Sequence, residues 1–148
     1  MLKNMLEGLP PMTGKVKEIG KDKDKLNKIT VTIPILNEME LEARICYPIA
    51  GNNYGFVWSP DVGQEVLLVF PFGDINQPII LGSMYNEQNK PPQELNKDNQ
   101  DIYYKSKVGN EFTIHDEKNK SKVEITTQKG HKLIYDDDKE TLTIQSKG

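Results

Sequence analysis

The chain has 148 residues, 36% of them hydrophobic and 28% charged, with a net charge of −3 and one cysteine, Cys46. That length holds one domain, or a small domain with an appendage. A lone cysteine excludes an intrachain disulfide and a thiolate metal cluster, and the slightly acidic balance excludes a general attraction to nucleic acid.

The start, MLKNMLEGLPPM, carries Glu7 and two prolines where a signal peptide needs an apolar centre. No apolar run approaches the ~20 residues of a membrane-spanning helix. Cytoplasmic synthesis is the expectation. The first element is GKVKEI (Gly14–Ile19), which alternates around Val16. GKDKDKLN (Gly20–Asn27) is a charged, solvated loop with too few glycines to cradle phosphate. ITVTIPI (Ile29–Ile35) places Ile29, Val31, Ile33 and Ile35 on one face, with Pro34 suited to an edge or strand end. MELEARICY (Met39–Tyr47) alternates through Met39, Leu41, Ala43 and Ile45, and Cys46 within it reads as a buried small residue. EVLLVF (Glu65–Phe70) is nearly all apolar, as expected of a strand buried on both faces. PIILGS (Pro78–Ser83) is the fifth, with Ile79, Ile80 and Leu81 expected to fill the interior. Five short strands rich in β-branched residues, with no convincing helix, predict a small closed barrel, which leaves no exposed sheet edge.

Asn86–Gln100, with two prolines and many amides, reads as a linker or extended arm. Residues 1–96 hold 9 basic and 12 acidic side chains, whereas residues 97–148 hold 10 of each. The expected organisation is a barrel over 1–86, a linker over 87–103 and a repeating unit over 104–148. In that last unit GNEFTIHD (Gly109–Asp116) lines up with GHKLIYDD (Gly130–Asp137), and SKVEITTQ (Ser121–Gln128) with ETLTIQSK (Glu140–Lys147). Each is an alternating strand, and together they present one apolar stripe: Phe112, Ile114, Val123, Ile125, Leu133, Tyr135, Leu142 and Ile144. Strands so thin expose too much apolar surface to stand alone, because solenoids usually need about three or more repeats. Three copies around one axis would bury the stripes of every chain.

Gly51–Asn86 contains Trp58, Pro60, Val62, Gly63, Glu65, Val66, Gly73, Asp74, Pro78, Ile80, Gly82, Tyr85 and Asn86 in a closely spaced pattern. This pattern resembles the OB-fold barrel of the baseplate central spike family: VgrG proteins of type VI secretion and the spikes of contractile phage tails and tailocins. The resemblance implies an all-β chain, an OB-fold barrel followed by the start of an intertwined, trimeric, triple-stranded β-helix. It implies a structural part of a baseplate, a homotrimer docked on a hub, tipped by a PAAR-like cap and directed at a target cell envelope. Relatives carry a hub region ahead of the barrel; here Met1 stands close to the first strand, so a separate hub chain is expected. The chain stops where a further repeat would begin, so either it has been cut short or a separate cap is expected on the strand ends. Assembly in the cytoplasm and incorporation into a tail or injection particle would follow.

Within the motif, Gly73 and Asp74 suit a tight turn with positive φ, Pro78 a strand start, and Gly82 a close backbone approach. Glu65 is read two ways, as a solvated carboxylate or as a group fixing the loop at Val62 and Gly63. No catalytic, cofactor-binding or metal residues are expected. His115 and His131 lack an adjacent carboxylate pair or nucleophile in sequence; His115 reads as a surface residue, and His131 shares the parity of the apolar stripe. Asp136, Asp137 and Asp138 lack the spacing of a calcium loop and read as a charged turn. Ser59 has no base nearby. The other common use of such a barrel is binding single-stranded nucleic acid or oligosaccharide. Tyr47, Tyr54, Phe56 and Trp58 would then stack ligands beside Lys15, Lys17, Lys21, Lys23, Lys25 and Lys28. Glu18, Asp22 and Asp24 interrupt those lysines, and the spike reading, without nucleic acid as a partner, is preferred.

Overall fold

A computed structural model describes residues 8–98 and 100–148. The described chain is built of strands with two short 3-10 turns, and it divides after Lys90 into two compact units.

The first unit runs β1 (Met12–Glu18), β2 (Ile29–Ile33), β3 (Met39–Ile45), β4 (Ala50–Gly51), β5 (Tyr54–Gly55), β6 (Glu65–Val69) and β7 (Ile79–Met84). Strands β1-β2-β3-β7-β6 close into a barrel, antiparallel throughout except for the parallel pair β3–β7, while β4 and β5 form a separate small hairpin. Closure pairs every barrel strand on both sides, so no edge is left to aggregate. The alternation of β2 explains the core, because Val31 and Ile33 are fully buried and Ile29 almost so, while Thr30 and Thr32 face outward. Ala43, Val66, Leu68 and Ile80, also fully buried, complete the interior. Each large side chain buried this way contributes roughly 1.5–3 kcal/mol before ordering costs.

Three expectations change here, for one reason: a small barrel has a single interior. In β6, Val66 and Leu68 point inward, whereas Leu67 and Val69 are only half-buried, so the strand is not buried on both faces. In β7 only Ile80 fills the barrel; Leu81 is 47% exposed. Cys46 follows inward-facing Ile45 and is exposed, not buried. Ile35 also leaves the core face, because Pro34 starts a 3-10 turn over Pro34–Leu36 and ends the strand.

The turn from β6 to β7 holds most of the motif. Pro71–Gly73 is a 3-10 turn in which Phe72 (φ 54°) and Gly73 (φ 74°) adopt left-handed backbone. A Cβ on Gly73 would lie 2.6 Å from the Cα of Gly8, so both conformation and space require glycine. Asp74 does not have positive φ; it acts as an acceptor. Its Oδ1 takes the Asn76 N–H at 2.9 Å and its Oδ2 the Gln77 side-chain amide at 2.9 Å. Those bonds, the Asn76 backbone N–H foremost, hold the Asp74 carboxyl below its ordinary range. Pro78 is fully buried at the head of β7, and its carbonyl accepts the Arg44 N–H at 3.1 Å. Gly82 departs from expectation, since a Cβ there would meet nothing within 4 Å. Gly73→Ala is therefore expected to destabilise the barrel by about 1–3 kcal/mol, lowering Tm by several degrees, while Gly82→Ala stays within about 0.5 kcal/mol. Thermal denaturation of the two variants checks this.

The second unit is a five-stranded antiparallel meander: β8 (Ile102–Lys105), β9 (Glu111–His115), β10 (Lys122–Thr126), β11 (Lys132–Asp136) and β12 (Thr141–Gln145), each paired with the next. β8 begins inside the stretch read as linker. The sequence repeat has a structural counterpart in two matching turns. Gly109 (φ 93°) donates its N–H to the Ser106 carbonyl at 2.9 Å, and Gly130 (φ 87°) to the Thr127 carbonyl at 2.8 Å. The Ser106 and Thr127 hydroxyls accept the N–H groups of Asn110 and His131. Each hydroxyl and glycine pair thus closes the same hairpin turn.

Candidate assembly surface

Register decides which side chains share a face of the second sheet. Ile125 stands opposite both Phe112 and Leu133, and Val123 opposite both Ile114 and Tyr135. Leu133 pairs with Ile144 and Tyr135 with Leu142. Residues directly opposite in an antiparallel pair project to the same side, so all eight residues of the stripe lie on one face. β8 adds Ile102 and Tyr104, opposite Ile114 and Phe112, which the sequence reading omitted. This face is poorly covered within the chain. Ile125 is 43% exposed, Tyr135 51%, Leu142 56% and Ile144 79%. A contiguous apolar sheet face of this kind marks an interaction surface.

The opposite face is polar and internally satisfied. Glu124 sits at its centre, with the Lys132 Nζ at 2.7 Å and the Lys122 Nζ at 3.3 Å. The Thr126 hydroxyl donates to Glu124 at 3.1 Å. Led by the Lys132 hydrogen bond, these groups pull the Glu124 carboxyl down to about 2. Glu111 is likewise held below its ordinary range, by Lys105 first and then Tyr103. His115 lies on this face, and its surroundings differ from the sequence reading. Its Nδ1 is 2.8 Å from Asp101 and its Nε2 3.9 Å from Glu124. The carboxylates come from elsewhere in the chain, and only the β9–β10 pairing could have signalled Glu124. His131 lies just before β11, and its Nδ1 accepts the Lys147 N–H at 3.2 Å, with the Ser146 hydroxyl also at 3.2 Å. That ring pins the end of β12. Asp136, at the end of β11, accepts the Lys139 N–H at 3.1 Å and so caps the turn into β12. Among the described residues, no three His, Cys, Asp or Glu side chains are placed to hold a metal ion.

Because the Glu124 carboxyl is depressed in the folded state, its stabilisation is fully present above its ordinary value of 4.5 and fades as pH falls toward about 2. Wild-type Tm should therefore fall across that window, and Glu124→Gln should flatten the fall and cost about 1–3 kcal/mol at neutral pH. Circular dichroism melts at stepped pH values measure both.

On the barrel, Trp58 packs edge-on against Tyr47, with centroids 6.4 Å apart and planes at 77°. Pro60 is buried, and the Gly63 N–H (φ 87°) donates to the Val16 carbonyl at 2.8 Å. Glu65 does not fix the loop at Val62 and Gly63; its Oε2 accepts the Asn86 side-chain amide at 3.0 Å and ties the exit of β7 to the start of β6. Residues 12–85, from the start of β1 to just past β7, match the family described as the Type VI secretion system/phage-baseplate injector OB domain. The chain belongs to this family. It is 30% identical over 103 residues to the actin cross-linking toxin VgrG1 of Vibrio cholerae, a match covering 66% of this chain and 9% of the toxin. It is 31% identical over 103 residues to the type VI secretion system spike protein VgrG1b of Pseudomonas aeruginosa, covering 64% of this chain and 14% of that protein. VgrG1c of the same organism is 42% identical over 52 residues, 35% of this chain and 7% of that protein. The chain thus spans only a small part of these relatives' length. The matched span includes Trp58, Pro60, Gly63, Glu65, Gly73, Asp74, Pro78 and Gly82, and ends one residue before Asn86.

Proposed function

We propose that this chain is a non-enzymatic structural component of the central spike of a contractile injection machine. Three parallel copies associate through the apolar face of the second sheet, continuing as a triple-stranded β-helix, while the barrels seat on the baseplate hub. Sheath contraction then drives a stiff, polar-surfaced needle into the target cell envelope, with a tip protein covering the exposed strand ends. Assembly takes place in the cytoplasm, before the spike joins a phage tail, tailocin or related particle.

The observation that carries this reading is a ten-residue apolar face, seven of whose side chains are exposed, on a sheet that follows an injector OB barrel in the same chain. Fully buried in an assembly, those side chains would each contribute roughly 1.5–3 kcal/mol before ordering costs, which makes association the main source of the second unit's stability. Sedimentation equilibrium tests the trimer. A mass of three chains of 16.9 kDa at micromolar concentration is expected, and a monomer refutes the reading. Immunogold electron microscopy of particles from the source cell tests the location, where label at the baseplate is the expected result.

A further inference from the structure

A groove runs along the outer wall of the barrel, wholly within the first unit, and is made of three adjoining hollows. Tyr47 and Val57 join the hollow beside Trp58 to the one beside Tyr54, and Arg44 joins that one to the hollow beside Gln77. Its stacking surface is preset. The Tyr54 ring in β5 lies flat against the backbone of Gly51 in β4, where a Cβ would clash with the ring, yet Tyr54 is 72% exposed. One ring face is thus held by the hairpin and the other is open. Next to it, Tyr47 and Trp58 brace each other edge-on.

The charge in the groove is local. Lys25 and Arg44 line its middle, and neither side chain has an ion pair or hydrogen bond among the described residues. Carboxylates stand at both ends, Asp22 at one and Glu40 and Glu42 at the other, while Lys15, Lys17, Lys21 and Lys23 line none of the three hollows. A single nucleic-acid strand carries a phosphate at every nucleotide and needs a continuous cationic track, which these carboxylates interrupt on both sides. A ligand with one anion between uncharged polar units fits better. The side-chain amides of Asn27 and Asn53 also line the middle hollow with no hydrogen-bond partner among the described residues, so each offers donors and an acceptor. An open aromatic face, free amides and two unpaired cations together match the apolar face, hydroxyls and carboxylate of an acidic sugar.

We propose that this groove binds an oligosaccharide that carries an acidic sugar between neutral ones. The acidic ring stacks on Tyr54, with its carboxylate on Arg44 and Lys25 and its hydroxyls on Asn27 and Asn53. The neutral sugars extend toward Trp58 on one side and Gln77 on the other. The site is independent of the assembly proposed above, because every residue in it belongs to one barrel.

The test uses the full-length chain and hyaluronan tetrasaccharide, which alternates acidic and neutral sugars. Calorimetric titration should give saturable binding, accompanied by a change in the emission of Trp58, the single tryptophan. Neutral chitotetraose should bind about tenfold more weakly or worse. Arg44→Gln and Tyr54→Ala should each weaken binding of the acidic tetrasaccharide by about tenfold or more. Lys139→Gln, the same loss of charge in the turn before β12, should leave it unchanged. All three side chains are exposed, so the variants should keep the wild-type far-ultraviolet circular dichroism. Absence of saturable binding, equal affinity for the two tetrasaccharides, or indifference to both Arg44→Gln and Tyr54→Ala overturns the proposal. Tighter binding of an oligothymidylate or of a glutamate-rich peptide, abolished by Arg44→Gln, would assign the groove to that ligand and overturn it as well.

Discussion

Ile125→Asp is expected to leave the chain monomeric at micromolar concentrations, where the proposed assembly predicts a trimer for the wild type. Ile125 lies in β10, the central strand of the second sheet, between Phe112 and Leu133. In one chain it is 43% exposed, so a single carboxylate there can reach water and the sheet can still form. In an assembly that closes the apolar faces on one another, three carboxylates come together in an apolar setting. Each desolvated, unpaired charge costs at least a few kcal/mol, and the three repel one another. The summed penalty is on the order of 6 kcal/mol or more, about four orders of magnitude in the association constant. Thr143→Asp provides the control, because Thr143 is an exposed residue on the polar face of β12. Sedimentation equilibrium should show one chain for Ile125→Asp and three for Thr143→Asp, with far-ultraviolet circular dichroism verifying strand content. A trimer that survives Ile125→Asp would place the assembly interface elsewhere.

The second large effect separates neighbours in β7. Ile80→Ala is expected to destabilise the barrel by about 2–5 kcal/mol, and Leu81→Ala by less than about 1 kcal/mol. Ile80 is fully buried, whereas Leu81 is 47% exposed on the outer wall. Removing Ile80 loses both its transfer free energy and the contacts that lined it, since a closed barrel relaxes only partly around the void. Small domains have total stabilities of roughly 5–15 kcal/mol, so Ile80→Ala could remove much of the margin. Urea unfolding followed by Trp58 fluorescence measures both variants. Equal losses at the two positions would mean that the outer wall is buried in a way the single chain does not show.

Much of this molecule was legible from periodicity. The strict alternation of β2 and of β9 to β12 gave both strand and face, because side chains two apart must share a side of a pleated sheet. The matching glycines at 109 and 130 announced matching turns, since a left-handed position admits glycine most readily. Where alternation broke down, the reading did too. EVLLVF and PIILGS look apolar throughout, and nothing local tells which residues face the single interior of a barrel and which its half-covered outer wall. Ile35 continued the alternation but was turned out by Pro34, and Ile102 and Tyr104 were hidden by the polar linker beside them.

The sequence by itself determined the strand content, the barrel, the position of the tight turns and the apolar stripe of the second unit, because these follow from local backbone preference and period. Only the tertiary structure decided what partners the polar groups take. Glu65 reaches Asn86, Asp74 serves as a turn acceptor, Gly73 is locked by the backbone of Gly8, and His115 lies beside Asp101 and Glu124. Such pairings join residues far apart in the chain or depend on a turn's detailed backbone path. They are set by strand register and closure, which no local pattern encodes. The same register gathered ten apolar residues on one side of the second sheet and Glu124 with its lysines on the other.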